Sequence, residues 1–193
     1  MPVGPKDMRR AFAMASTALI AAYTFGVLVL SFGGQVEHDL IGSSNAFLNG
    51  AVLSLFPIVL APVGIVAKRL SSRIALGIGS VASVFGMSLL ALAVSQHNLF
   101  TYLIATATAG AAYSLLFVGS LGLINTDSSH HRGAVFSALY LVGYLSMGAL
   151  ALVLGVVAAA WGLRLAVYLG AVVITIVSLA TLVLAATMRE GGP

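Results

Sequence analysis

Long apolar runs make up most of this chain, and short polar clusters separate them. A membrane-spanning helix needs about 20 mostly apolar residues, and each charge-free run reaches that length. The runs lack an alternating pattern and are roughly two to three times too long for barrel strands. The sequence therefore predicts an all-α protein with six spanning helices, at residues 11–32, 43–67, 74–94, 99–123, 134–159 and 163–187.

The connections between these runs are predicted to be short and polar. They include Glu37-His38-Asp39, the Lys68–Arg73 segment, Ser95–Asn98 and the Asn125–Arg132 segment. None is long enough to fold as a separate domain, so we expect a single six-helix domain over residues 1–193. The first run has no convincing cleavage site and extends over a full bilayer width, which favours a retained span over a signal peptide.

Composition points to a bilayer as the solvent of this chain. Hydrophobic residues are 60% of the sequence and charged residues only 7%, which leaves too little polar surface for a water-soluble enzyme. The net charge of +4 is distributed in small groups rather than in one patch, so nucleic acid is not an expected partner. The absence of cysteine excludes disulfides and thiolate chemistry.

The basic residues predict the orientation in the membrane. If the N-terminus is cytoplasmic, eight of the nine basic residues fall on the cytoplasmic side and only Arg164 lies outside. By the positive-inside rule, we expect both termini to be cytoplasmic. The expected location is the inner (plasma) membrane of the cell. The eight are Lys6, Arg9, Arg10, Lys68, Arg69, Arg73, Arg132 and Arg189.

A weak internal repeat relates the two halves of the chain. Shifting the sequence by 90 positions places Ala21-Ala22-Tyr23-Thr24 on Ala111-Ala112-Tyr113-Ser114. The first span then matches the fourth, which runs in the opposite direction across the membrane. The pattern predicts two inverted three-helix repeats, an arrangement that many secondary transporters use to build gates around a central site.

The segment between the second and third spans resembles the cytoplasmic loop motif of the major facilitator superfamily. Gly64, Arg69 and Arg73 occupy matching positions, whereas Lys68 stands in the acidic place and Ser71 in that of the second glycine. This degenerate pattern is similar to the copy in the C-terminal six-helix half of that family. A plain positive-inside loop is the alternative interpretation.

The connection before the fifth span carries a second resemblance to that family. Arg132-Gly133 matches a pair that commonly opens the fifth or eleventh helix there. One interpretation is a cytoplasmic gate of Gly64, Arg69, Arg73, Asp127 and Arg132, in which Asp127 or helix C-termini hold the arginines in one conformation. The other is an N-capping role for Asp127 and a membrane-edge role for Arg132.

The resemblance implies a secondary transporter module that works by alternating access. It covers one of the two halves of usual family members, so a second six-helix half is expected, from a homodimer or a separate chain. The family layout places the first and fourth helices around the cavity, the second and fifth beside it, and the third and sixth towards lipid. The cavity residues predicted on that basis are Tyr23, Thr24, Asn45, Asn49, Thr106, Tyr113 and Ser114.

The predicted spans contain no titratable acid or base in their interiors. This favours a small neutral or amphipathic solute, and it leaves Glu37 or Asp39 as the acids available for proton coupling within this half. Enzymatic activity, a cofactor and a metal site at His130-His131 are not expected. The alternative function is a non-transporting remnant or assembly subunit whose polar side chains only join helices.

Overall fold

The computed structural model describes residues 5–41, 45–125 and 132–187, and every regular element in those ranges is an α-helix. The helices are α1 (Pro5–Ile41), α2 (Ala46–Leu53), α3 (Leu55–Ala67), α4 (Ser72–Gln96), α5 (Leu99–Asn125), α6 (Arg132–Trp161) and α7 (Leu163–Thr187). Six segments are long and apolar enough to cross a membrane: Arg9–His38, Asn49–Ala67, Ser72–Gln96, Leu99–Asn125, Gly133–Trp161 and Leu163–Thr187. This is the pattern of a multi-pass membrane protein.

The first helix continues well beyond the predicted end of the first span. α1 has 37 residues and includes Glu37, whereas the sequence predicts a loop at Glu37-His38-Asp39. The loop prediction is wrong because glutamate is a good helix former and its side chain is enclosed by the bundle. At 1.5 Å per residue, α1 is ~55 Å long, which exceeds the ~30 Å hydrocarbon core.

The second span is divided into two helices at Ser54. Proline has no N–H, so Pro57 cannot donate the helical hydrogen bond to the carbonyl of Leu53. At the break the Ser54 hydroxyl donates to the carbonyl of Ala51 at 2.6 Å. The expected single run over residues 43–67 is therefore two segments, α2 and α3, joined by a local interruption.

The bundle is organised around α1, which packs against α5, α6 and α7. Its buried face contains the alanines Ala15, Ala18, Ala21 and Ala22, whose small side chains allow neighbouring helices to approach closely. α3 packs on α5, and α4 packs on both α5 and α7. α1 and α5 are therefore the central pair of the bundle.

The outward faces of the bundle are apolar. Leu152 and Val156 on α6 and Val172 and Ile176 on α7 are exposed. A continuous apolar surface of this kind is unfavourable in water and is the surface expected against lipid tails. Polar side chains are instead buried between helices. An example is the hydrogen bond that Ser178 of α7 donates to Ser83 of α4 at 2.8 Å.

We call the two ends of the bundle the basic end and the opposite end. The basic end contains Lys68 and Arg73, between α3 and the body of α4. The opposite end contains His97, whose left-handed backbone (φ 51°) terminates α4. There the guanidinium of Arg164 lies 3.1 Å from the His97 ring, which joins the end of α4 to the start of α7.

Candidate functional site

A cavity of about 760 Å³ lies between α1, α3, α5 and α6. Its volume is in the range of small-molecule sites. The wall also contains small and flexible residues, among them Gly26, Ser31 and Met147. We call it the aromatic cavity because six aromatic side chains line it: Tyr23, Phe56, Tyr113, Phe117, Tyr140 and Tyr144.

Tyr23 and Tyr113 lie side by side in this wall. Their ring centroids are 6.3 Å apart with an interplanar angle of 24°, and Tyr144 lies 5.0 Å from Tyr23. A Cβ at Gly26 would lie 3.2 Å from the Tyr113 ring, so the glycine makes room for that ring against α1. The sequence predicts that positions 23 and 113 face one side of the bundle, and the structure places both rings in the same wall.

The lining residues come from the first, second, fourth and fifth spans. In the described part of the chain, α4 and α7 contribute none of them and instead pack against each other. Spans three and six thus lie away from the cavity.

Three hydroxyl residues predicted for the cavity are outside its lining. Thr24 is buried, Thr106 donates to the carbonyl of Tyr102 on its own helix at 2.9 Å, and Ser114 donates to the carbonyl of Leu60 at 2.9 Å. Hydroxyls in an apolar interior bond to nearby carbonyls when these are within reach. The structure thus places Thr24, Thr106 and Ser114 outside the lining of the aromatic cavity.

Asn45 and Asn49 lie on or beside α2, at the opposite end of the bundle and outside the aromatic cavity. The Asn45 side chain accepts from the N–H of Phe47 at 3.0 Å, which satisfies a free donor at the start of α2. Asn49 is half-buried, and its side-chain oxygen makes no hydrogen bond within the described ranges. The four-residue spacing placed both on one helix face, but α2 does not border the cavity.

A second cavity of about 620 Å³ lies at the basic end. Its lining includes Lys68, Ser72, Asn125 and Phe136, and we call it the basic-end cavity. Among the described residues, Phe117 is the one common to the linings of the two cavities, so the cavities adjoin at this side chain. The Phe117 ring stacks on those of both central tyrosines, with centroid distances of 6.2 and 5.9 Å.

The predicted gate residues have different environments. Arg73 is half-buried and donates from Nε to the carbonyl of Ala185 at 2.7 Å and from an Nη to that of Ala186 at 3.3 Å. It therefore satisfies free carbonyls at the end of α7 and places a positive charge at a helix C-terminus. Arg69 is exposed beyond the end of α3. Asp127 and the side chain of Arg132 lie outside the described residues.

Gly64 belongs to a close crossing of α3 and α5. A Cβ at Gly64 would lie 2.8 Å from the Ser114 hydroxyl, and a Cβ at Gly110 would overlap the carbonyl oxygen of Phe56. Gly110 and Ser114 are four residues apart, so they present one small face to α3. A small residue four positions from a glycine on an apolar helix was an available signal in the sequence for this contact.

Tyr140 and Tyr144 of α6 were also missed as cavity residues. They too are separated by four positions and their rings stack at a centroid distance of 6.4 Å. That spacing on an apolar helix was an available signal. Within residues 5–41, 45–125 and 132–187, no three His, Cys, Asp or Glu side chains form a group that could hold a metal ion.

Comparisons with protein-family models, with curated proteins and with solved structures found no match to this chain.

Proposed function

We propose that this chain is a six-helix module of a major-facilitator-type secondary transporter, which moves a small neutral or amphipathic solute by alternating access. The observation that carries the proposal is the aromatic cavity, bounded by the helices of the first, second, fourth and fifth spans. The loop resemblance at Gly64, Arg69 and Arg73 supports the same assignment.

The lining of the aromatic cavity suits an uncharged solute. Its aromatic faces provide apolar contact area, while the hydroxyls of four tyrosines provide hydrogen bonds that orient a polar group. The lining contains no charged side chain among the described residues. A strongly charged solute would therefore lose its hydration without gaining a counter-charge from this module.

The central position of α1 and α5 supports an inverted repeat. These are the helices that the 90-residue shift superimposes, and equivalent tyrosines of the two helices, Tyr23 and Tyr113, stack at 6.3 Å. A site built from two equivalent helices of opposite direction can be opened from either side by equivalent movements.

A second six-helix half is proposed to cover the open side of the cavity. Tyr144 lines the cavity and is nevertheless 56% exposed, and its neighbours Leu141 and Leu145 are exposed as well. A second copy, related by a two-fold axis along the membrane normal, would enclose the solute between the two modules. A separate chain with the same six-helix arrangement would also enclose the solute.

Access to the proposed site is tested without knowing the solute. The chain has no cysteine, so Met147→Cys introduces a single thiol in the cavity wall. Alternating access predicts that this thiol reacts with a membrane-impermeant maleimide in both right-side-out and inside-out vesicles. The matched control Phe85→Cys, on the exposed face of α4, should react in neither preparation because it faces lipid.

The competing function is a subunit that only packs against another membrane protein. The hydrogen bond of Ser114 to Leu60 favours it, because this hydroxyl joins helices and does not contact a solute. A packing subunit predicts no reaction of Met147→Cys from either side. Reaction from one side alone would also contradict alternating access.

The proposed orientation has both termini in the cytoplasm of a cell's inner membrane. Single cysteines replacing Phe47, His97 and Gly162 should then react from outside in sealed cells, and one replacing Ser71 should not. Phe47 suits as an outer reporter because it is 84% exposed, whereas Glu37 in the same region is fully buried. Reaction of the Ser71 variant from outside would reverse the topology.

A further inference from the structure

Three polar side chains with buried, unpaired oxygens lie towards the opposite end of the bundle, beyond the cavity-lining Ser31 of α1. Glu37 of α1 is 0% exposed, and Tyr102 of α5 is 1% exposed. Neither carboxyl oxygen of Glu37, nor the Tyr102 hydroxyl, makes a hydrogen bond to any residue in the described ranges. Buried polar groups in proteins are nearly always paired, so this cluster requires an explanation.

The third member of the cluster is Asn49 of α2. Gly33 marks the point where α1, α2 and α5 meet, since a Cβ there would lie 2.5 Å from the Leu53 side chain and 3.1 Å from the Tyr102 hydroxyl. Glu37 is one helical turn after Gly33, and Asn49 is one turn before Leu53. Because α2 returns antiparallel to α1, this register places the buried Asn49 oxygen level with Glu37.

The surroundings of the cluster are apolar. Val36 of α1, Val52 of α2 and Val94 of α4 belong to the same buried hydrophobic cluster as Tyr102. The Tyr102 hydroxyl is within electrostatic range of Glu37, but a neutral phenol is no counter-charge. An ionised carboxylate without a counter-charge or hydrogen-bond donor is very unfavourable in such a place.

The other described histidine and charged side chains at this end of the bundle are exposed. On α4 and α7 they are His97 and Arg164, which are exposed and contact each other. On α1 itself they are His38, which is exposed, and Asp39, whose side chain lies outside the described residues. α2 contains no charged residue.

We propose that Glu37, Asn49 and Tyr102 form a proton-binding site whose occupancy controls the packing of α2 against α1 and α5. A protonated carboxyl has an O–H to donate to an amide or phenol oxygen, and Tyr102 has an O–H to donate in return. The loss of the proton leaves a carboxylate that needs water, which separates α2 from its neighbours. α2 has only eight residues, so few contacts hold it against its neighbours.

This inference does not depend on solute transport, and its test uses no solute. Val52 of α2 is buried beside the cluster. A cysteine at this position (Val52→Cys) should react with a maleimide in detergent only when α2 separates from its neighbours. The labelling rate is corrected for thiol ionisation by measuring a free thiol at each pH. Over the range from about pH 5 to about pH 9, the corrected rate should rise by on the order of tenfold per pH unit until the site is ionised.

Glu37→Gln is the decisive variant because glutamine has the shape of the protonated acid and cannot ionise. In the Val52→Cys background it should give slow labelling that does not vary with pH. The matched controls Asp39→Asn, His38→Gln and His97→Gln should retain the pH dependence. A flat profile in the parent, or a pH-dependent profile in Glu37→Gln, would overturn the proposal.

Infrared spectroscopy provides a readout that does not require the labelling variant. The unmodified protein at neutral pH should show the carbonyl band of a protonated carboxylic acid, and Glu37→Gln should lack it. Identical spectra for the unmodified protein and Glu37→Gln would refute proton binding, as would labelling controlled by sodium concentration at constant pH.

Discussion

Replacement of Gly110 by alanine tests the close crossing of α3 and α5. The added Cβ would overlap the Phe56 carbonyl oxygen and would lie 3.3 Å from both the Phe56 carbonyl carbon and the Leu60 nitrogen. All three atoms belong to backbone, so no side-chain rotation can relieve the overlap. α3 must move away from α5, which also stretches the 2.9 Å hydrogen bond from Ser114 to Leu60.

The expected loss in the free energy of unfolding follows from two opposing effects. Overpacking a close contact costs about 1–3 kcal/mol, while alanine gains up to about 1 kcal/mol over glycine in helix propensity. The net destabilisation should be about 1–2 kcal/mol, which corresponds to a fall in Tm of about 2–8 °C for a chain of this length. Thermal unfolding in detergent, followed by circular dichroism and by size-exclusion chromatography, measures this shift.

Gly148 on α6 supplies the matched control for this substitution. A Cβ at Gly148 would meet no atom within 4 Å, so Gly148→Ala should leave Tm unchanged or raise it. If Gly110→Ala were as stable as Gly148→Ala, the two helices could not be in backbone contact at Gly110, and the argument from close approach would fail.

Three further predictions concern other contacts of the bundle. Arg73→Gln removes the charged donor at the end of α7 and should cost about 0.5–1.5 kcal/mol, whereas Arg69→Gln, in the connection just before α4, should change thermal stability by less than about 0.5 kcal/mol. Ser114→Ala removes one interhelical hydrogen bond and should cost about 0.6 kcal/mol; a loss of solute binding without a change in Tm would instead support a solute contact. Phe117→Ala should join the two cavities and increase labelling of a cysteine in the aromatic cavity from the basic end, while Phe100→Ala, on the exposed start of α5, should not.

The positions of the helices could be predicted because transfer to a bilayer depends on the mean hydropathy of a long window, which is a property of the sequence alone. The end of α1 could not be predicted in this way. Whether Glu37 stops a helix or continues it depends on α2 and α5, which supply its enclosure. The interruption at Ser54 was predictable from the sequence, because Pro57 has no N–H to donate to the carbonyl of Leu53.

The candidate site was partly predictable for a related reason. Tyr23 and Tyr113 were found because the repeat compares equivalent positions, and their rings meet in the structure. On the basis of the family layout, the sequence predicts that the hydroxyls of Thr106 and Ser114 face the cavity. Each instead donates to a carbonyl, and the sequence does not reveal which carbonyl will lie within reach.

The central position of α1 has a consequence for the biogenesis of this protein. α1 leaves the ribosome before the helices that pack against it, α5, α6 and α7. During most of translation its polar side chains Thr24 and Glu37 would be in contact with lipid or with the insertion machinery and not with their final neighbours. Because of this order of synthesis, α1 must remain without its final helix–helix contacts, or be protected by a chaperone, until the second half of the chain has entered the membrane.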